Sequence, residues 1–143
     1  MSHALENVVP GARFTPPHLI SLGAVALVAL GAFLPWVSFF GISKLGIEGD
    51  GAITLFLAVV GAVAIVVSSK RAARALAITA IVLASLTSLV GLIDLADAGS
   101  VAAVGLYLTF FGALVWVASS IWLLVSLPKG SPQDRSGSAP TFG

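Results

Sequence analysis

LISLGAVALVALGAFLPWVSFF, residues 19 to 40, decides the fold, because no Lys, Arg, Asp or Glu interrupts it. A helix rising 1.5 Å per residue needs about 20 such apolar residues to cross a hydrocarbon layer of ~30 Å. Three further runs repeat the pattern: AITLFLAVVGAVAIVVSS from Ala52 to Ser69, ALAITAIVLASLTSLVGLI from Ala75 to Ile93, and VAAVGLYLTFFGALVWVASSIWLLVSL from Val101 to Leu127. All 7 basic and 6 acidic residues lie outside the four runs. The runs are too long for strands and lack the alternation of a membrane barrel, and in lipid only a helix satisfies their backbone within the segment. The expected fold is therefore all-α, a four-helix transmembrane bundle with spans of about 19–40, 52–69, 75–93 and 101–127. It forms one domain, 19–127, between an N-terminal segment, 1–18, and a tail, 128–143, whose Ser, Pro and Gly content predicts disorder.

Composition agrees. The chain is 58% hydrophobic and 9% charged with a mean hydropathy of +1.09, against roughly 25% charged in soluble domains. In 143 residues there is no room for a separate catalytic domain. Cysteine is absent, which excludes disulfides, thiolate metal sites and cysteine nucleophiles. The first run has a cleaved signal peptide as its alternative reading; its core exceeds the usual ~7 to 15 residues and a single base, Arg13, precedes it, so it reads as a retained span.

Distributed by side, the charges orient the bundle. Arg13, Lys70, Arg71, Arg74, Lys129 and Arg135 fall on the side shared by both termini and the second connection, and Lys44 alone falls on the other. Short connections rich in Lys and Arg stay cytoplasmic. The expectation is a multi-pass protein of the inner (plasma) membrane, N-in and C-in, with both termini cytoplasmic. The short second connection and the turn from Asp94 to Ser100 make successive spans antiparallel neighbours.

Thr54 to Ser69 (TLFLAVVGAVAIVVSS) aligns without gaps on Gly105 to Ser120 (GLYLTFFGALVWVASS) with seven identities, including Gly61-Ala62 on Gly112-Ala113 and Ser68-Ser69 on Ser119-Ser120. The first and third spans match poorly. A genuine duplication implies two hairpins as parallel repeats about an axis along the membrane normal.

Small residues recur at helical spacing: Ala80, Ala84 and Ser88 in the third span, and Gly105, Thr109 and Ala113 in the fourth. Such stripes let helix backbones approach where lipid supplies no hydrophobic drive between helices, so these six are the candidate helix-packing residues. Hydroxyls such as those of Thr87 and Thr109 can bond back to their own helices and need not line a pore. Pro35-Trp36, Phe39 and Phe40 read as an interfacial anchor ending the first span, with Tyr107 and Trp122 in the outer and inner belts. Trp116 lies mid-span, where its indole N–H is expected to find a neighbouring carbonyl or hydroxyl, the alternative being that it faces a polar cavity.

Glu48, Asp50, Asp94 and Asp97 form a candidate outer acidic patch. Four carboxylates suit a hard cation such as calcium, but their spacing matches no EF-hand, and solvated turns with Lys44 as partial counter-ion are the plainer reading. Asp94 and Asp97 stand at a helix C-terminus, where the dipole disfavours negative charge. His3 and His18 have no second ligand at useful spacing. No nucleotide-binding loop, nucleophile elbow, zinc motif or nucleic-acid patch is present, so no catalytic residue, cofactor, metal or nucleic-acid partner is expected.

LPWVSFFG (Leu34 to Gly41), GIEGDGAITL (Gly46 to Leu55) and VGLYLTFFGAL (Val104 to Leu114) together resemble a recurring pattern in small four-span bacterial membrane proteins of uncharacterised function. The resemblance covers most of the chain and implies topology without an activity. The chain differs from small multidrug transporters, which carry a glutamate inside the first span, and from claudin-like proteins, which have a second tryptophan and paired cysteines in the outer loop. The expectation is a non-enzymatic structural or accessory subunit that packs in the lipid bilayer against itself or another membrane protein. The alternative is a small channel or transporter for a neutral or weakly polar solute, since a charge-free interior disfavours ion coupling.

Overall fold

The computed structural model describes residues 10–71 and 74–128, with Ala4, Asn7 and Val8. The expected disordered tail after Pro128, with Lys129 and Arg135, and His3 near the N-terminus lie outside the described residues. Four helices long and apolar enough to cross a membrane make up most of the rest: α1 (Pro16–Phe33), α2 (Gly51–Lys70), α3 (Arg74–Ala98) and α4 (Val104–Ser126). Each packs on its chain neighbours and α4 closes the ring against α1. The all-α four-helix bundle expected from the apolar runs is the observed fold.

The bundle is apolar outside and small inside. Leu30, Phe33, Phe56, Val63, Ile78, Leu92, Phe111 and Val125 are exposed, while Ala24, Ala32, Ala58, Ala80, Ala84 and Ala113 are buried. This inverts the pattern of a soluble protein and is what lipid requires: large side chains face acyl chains and small ones let backbones meet. The chain is accordingly a multi-pass membrane protein in contact with lipid bilayer. Several hydroxyls inside it are satisfied by their own helices, as when Thr109 Oγ1 donates to the Gly105 carbonyl at 3.0 Å and Thr87 Oγ1 to that of Leu83 at 2.9 Å.

Helix ends depart from the limits of the apolar runs. The first run was expected to be helical to Phe40, but α1 stops at Phe33. Pro35 disfavours a helical conformation in the residue before it, and Leu34 is extended with φ −92° and ψ 162°. From there the chain forms an antiparallel hairpin, β1 (Pro35–Phe39) and β2 (Ile42–Leu45), with an irregularity at Trp36. Its two-residue turn has positive φ at both positions, 47° at Phe40 and 81° at Gly41. Glycine adopts this freely, whereas phenylalanine there costs about 1 kcal/mol. The third run was expected to end at Ile93, yet α3 continues to Ala98. Charge marks where hydrocarbon ends, not where helical hydrogen bonding ends. The fourth helix is Val104–Ser126, preceded by a short 3₁₀ turn over Gly99–Val101.

Candidate functional site

The hairpin end of the bundle is built around Trp36. Far from anchoring in an outer belt, this residue is 6% exposed, and its indole Nε1 donates to the Gly31 carbonyl at 2.9 Å. That carbonyl belongs to the last turn of α1 and also accepts the Leu34 N–H at 3.2 Å, so the indole adds a second hydrogen bond at the helix end. Gly46 packs against the ring and Gly51 against Gly46, so neither position has room for a side chain. The Ala103 N–H donates to the Trp36 carbonyl at 2.8 Å, fixing the hairpin to the start of α4.

Beside Trp36 opens a cleft of about 330 Å³ that brings together Asp50, Asp94 and Asp97. Asp94 and Asp97, three positions apart on α3, share a helix face. One Asp94 oxygen, Oδ2, is buried and has no hydrogen-bond partner among the described residues. Glu48 does not join the group, because its carboxylate accepts the Leu45 N–H at 3.0 Å. Lys44 lies on the exposed β2 strand opposite Val37. No group of three or more His, Cys, Asp or Glu among the described residues is arranged to hold a metal ion. The cleft is thus a concentration of negative charge without a ligand cage. Asp94→Asn should relieve both the like-charge repulsion from Asp50 and Asp97 and the conflict with the helix dipole, raising stability by roughly 0.5 to 1 kcal/mol. Thermal unfolding in detergent checks this, and a loss of stability would mean that the carboxylate has a partner.

The packing stripes run differently from a strict four-residue spacing. On α3 the buried positions are Ala77, Ala80, Ala84, Thr87 and Gly91, so Ser88 is half-buried and Thr87 takes the inward place. Steps of four drift around a helix by about 40° each, whereas alternating steps of three and four hold a seam. On α4, Gly105, Thr109 and Ala113 are all buried, and the alternating seam runs on through Gly112, Trp116 and Ser119. Gly105 faces the carbonyls of Gly31, Leu34 and Pro35, and Gly112 faces Ala24, Leu27 and Val28, all at the α1 contact.

The largest fully buried side chain among the described residues is Trp116, which packs against Gly61 of α2. The indole Nε1 was expected to meet a carbonyl or hydroxyl, but it has no partner among the described residues, and neither has Ser120 Oγ one turn on. Ser21 and Ser119 hydroxyls pair nearby at 2.7 Å. Of the two glycines aligned between the spans, Gly61 receives the indole and Gly112 receives α1 side chains, so aligned positions meet unlike neighbours. Both second serine pairs are buried, with Ser68 donating to the Ile65 carbonyl and Ser119 to that of Trp116.

No protein-family model, curated protein or solved structure matches the chain.

Proposed function

We propose that this chain is a non-enzymatic structural or accessory subunit of the inner (plasma) membrane, acting by packing against a second copy or another membrane protein. The basic residues Arg13, Lys70, Arg71 and Arg74 support a cytoplasmic position for the end that carries them. The observation that carries the proposal is the closed core. Trp116 fills the space that Gly61 leaves across the bundle, and alanines from all four helices, Ala24, Ala58, Ala84 and Ala113, pack around it. A bundle whose small residues are spent on its own closure works through its surface and its ends. The hairpin, with Phe39, Phe40 and Ile42 exposed, is the part that projects.

The second reading, a conduit for a neutral solute, has one observation in its favour: the buried hydroxyls of Ser21, Ser119 and Ser120 beside the Trp116 indole form a polar patch inside an apolar bundle. Osmotic swelling of proteoliposomes in glycerol or urea separates the two. The accessory reading predicts permeability equal to that of protein-free vesicles, together with a discrete photo-crosslinked adduct from a probe at Phe40 in native membranes. Solute entry above the vesicle background would replace it with the conduit.

A further inference from the structure

The end of the bundle opposite the acidic cleft carries a recess of its own. The Arg13 N–H donates to the Ser69 carbonyl at 2.9 Å, tying the segment before α1 to the last turn of α2. Between that segment and the C-terminal turns of α2 and α4 lies a cavity of about 540 Å³. Arg13 and Lys70 supply its charge and are both exposed. The described carboxylates, Glu48, Asp50, Asp94 and Asp97, belong to the other end of the molecule. Leu123 and Leu127 give the recess an apolar wall.

His18 lines the same recess and is 4% exposed. The Thr15 backbone N–H donates to its Nδ1 at 3.3 Å, and Thr15 Oγ1 lies 2.7 Å from the same nitrogen. A nitrogen that accepts an N–H carries no proton, so the proton of the neutral ring sits on Nε2. That atom is buried and has no hydrogen-bond partner among the described residues. Ser68, Ser69 and Ser126 donate to carbonyls of their own helices. Among the described residues, the donors of the recess without a hydrogen-bond partner are therefore two cations and one buried imidazole N–H, flanked by leucines. An oxyanion satisfies the donors, and an apolar chain attached to it satisfies the wall.

We propose that this recess binds a phosphate group, held by Arg13, Lys70 and the Nε2–H of His18, and that its amphiphilic lining favours the phosphate of an anionic glycerophospholipid with its acyl chain along Leu123 and Leu127. The shared chemistry is the phosphate oxyanion, and the test separates a lipid-borne from a free source. The full chain in neutral detergent is unfolded thermally with added phosphatidylglycerol, phosphatidylcholine or inorganic phosphate. Phosphatidylglycerol should raise the midpoint saturably, and phosphatidylcholine, whose choline offsets its phosphate, should not. Arg13→Gln with Lys70→Gln should weaken the apparent affinity about thirtyfold, from roughly fivefold per basic side chain near a membrane surface. Lys44→Gln, at the far end, should leave it unchanged, and the His18 Nε2 resonance should move on titration of the unaltered chain. A saturable shift with inorganic phosphate but none with phosphatidylglycerol would keep the phosphate site and assign it a free ligand. Equal shifts from both lipids, or a shift that survives the double substitution, would overturn the proposal.

Discussion

Gly105→Ala should destabilise the bundle by about 3 kcal/mol, the upper range for inserting a methyl where neighbours cannot give way. A Cβ at this position would stand 2.7 Å from the Gly31 carbonyl oxygen and 2.8 Å from those of Leu34 and Pro35. These are backbone atoms at the end of α1, so relief requires α1 and α4 to separate. Separation would also disturb the Trp36 hydrogen bond, which shares the Gly31 carbonyl. Gly31→Ala should behave alike, since its Cβ would meet Thr109 and the Gly105 carbonyl, and the two costs should be less than additive because both part the same helix pair. Gly23 is the internal control: it lies on α1 with nothing near its Cβ, and Gly23→Ala should be neutral or stabilise by up to about 1 kcal/mol through helix propensity. Unfolding in graded detergent mixtures measures all three. Equal behaviour of Gly105→Ala and Gly23→Ala would remove the close contact from the account.

The second large effect lies at the centre. Trp116 is fully buried and its ring occupies the place of a Gly61 side chain. Trp116→Ala should cost about 3 to 5 kcal/mol, as large-to-small changes in packed cores do. Gly61→Ala should cost about 2 kcal/mol with Trp116 present. In the Trp116→Ala background the same methyl enters vacated space, so its cost should vanish and the cycle should show a coupling of roughly 1 to 3 kcal/mol. Strict additivity would mean that the indole does not rest on Gly61.

Much of the architecture was legible because lipid imposes it. Four runs free of charge could only be helices, and the small residues at Gly105, Thr109 and Ala113 had to face protein to recover the contacts that lipid would not give them. Helix ends were less legible, since the apolar count ran through Leu34-Pro35 into Phe40. Two local signs of the hairpin were available there: the constraint a proline places on the residue before it, and Gly41 in a two-residue turn between apolar stretches. Asp94 and Asp97 misled in the other direction, because polar residues end the hydrocarbon run while the helix continues beneath them. The substitution of Thr87 for Ser88 on the α3 seam follows from the difference between steps of four and alternating steps. The surroundings of the two buried tryptophans were not legible at all. Trp36 depends on Gly46 and the end of α1, and Trp116 on Gly61 in another helix, and these pairings exist only after the bundle has closed. For the acidic patch, proximity on the sequence map joined Glu48 to Asp50, whereas the fold turns Glu48 back onto Leu45.

The closed core admits a direct measurement, because the native chain has no cysteine and single replacements report cleanly. Ser120 is fully buried beside Trp116, while Ser43 and Arg71 are exposed at opposite ends. In native membranes, Ser120→Cys should resist a small hydrophilic thiol reagent applied from either side. Ser43→Cys should react only from outside the cell and Arg71→Cys only once the cytoplasmic face is opened. Rapid modification of Ser120→Cys from either side would show water at the bundle centre and contradict a subunit packed shut around Trp116.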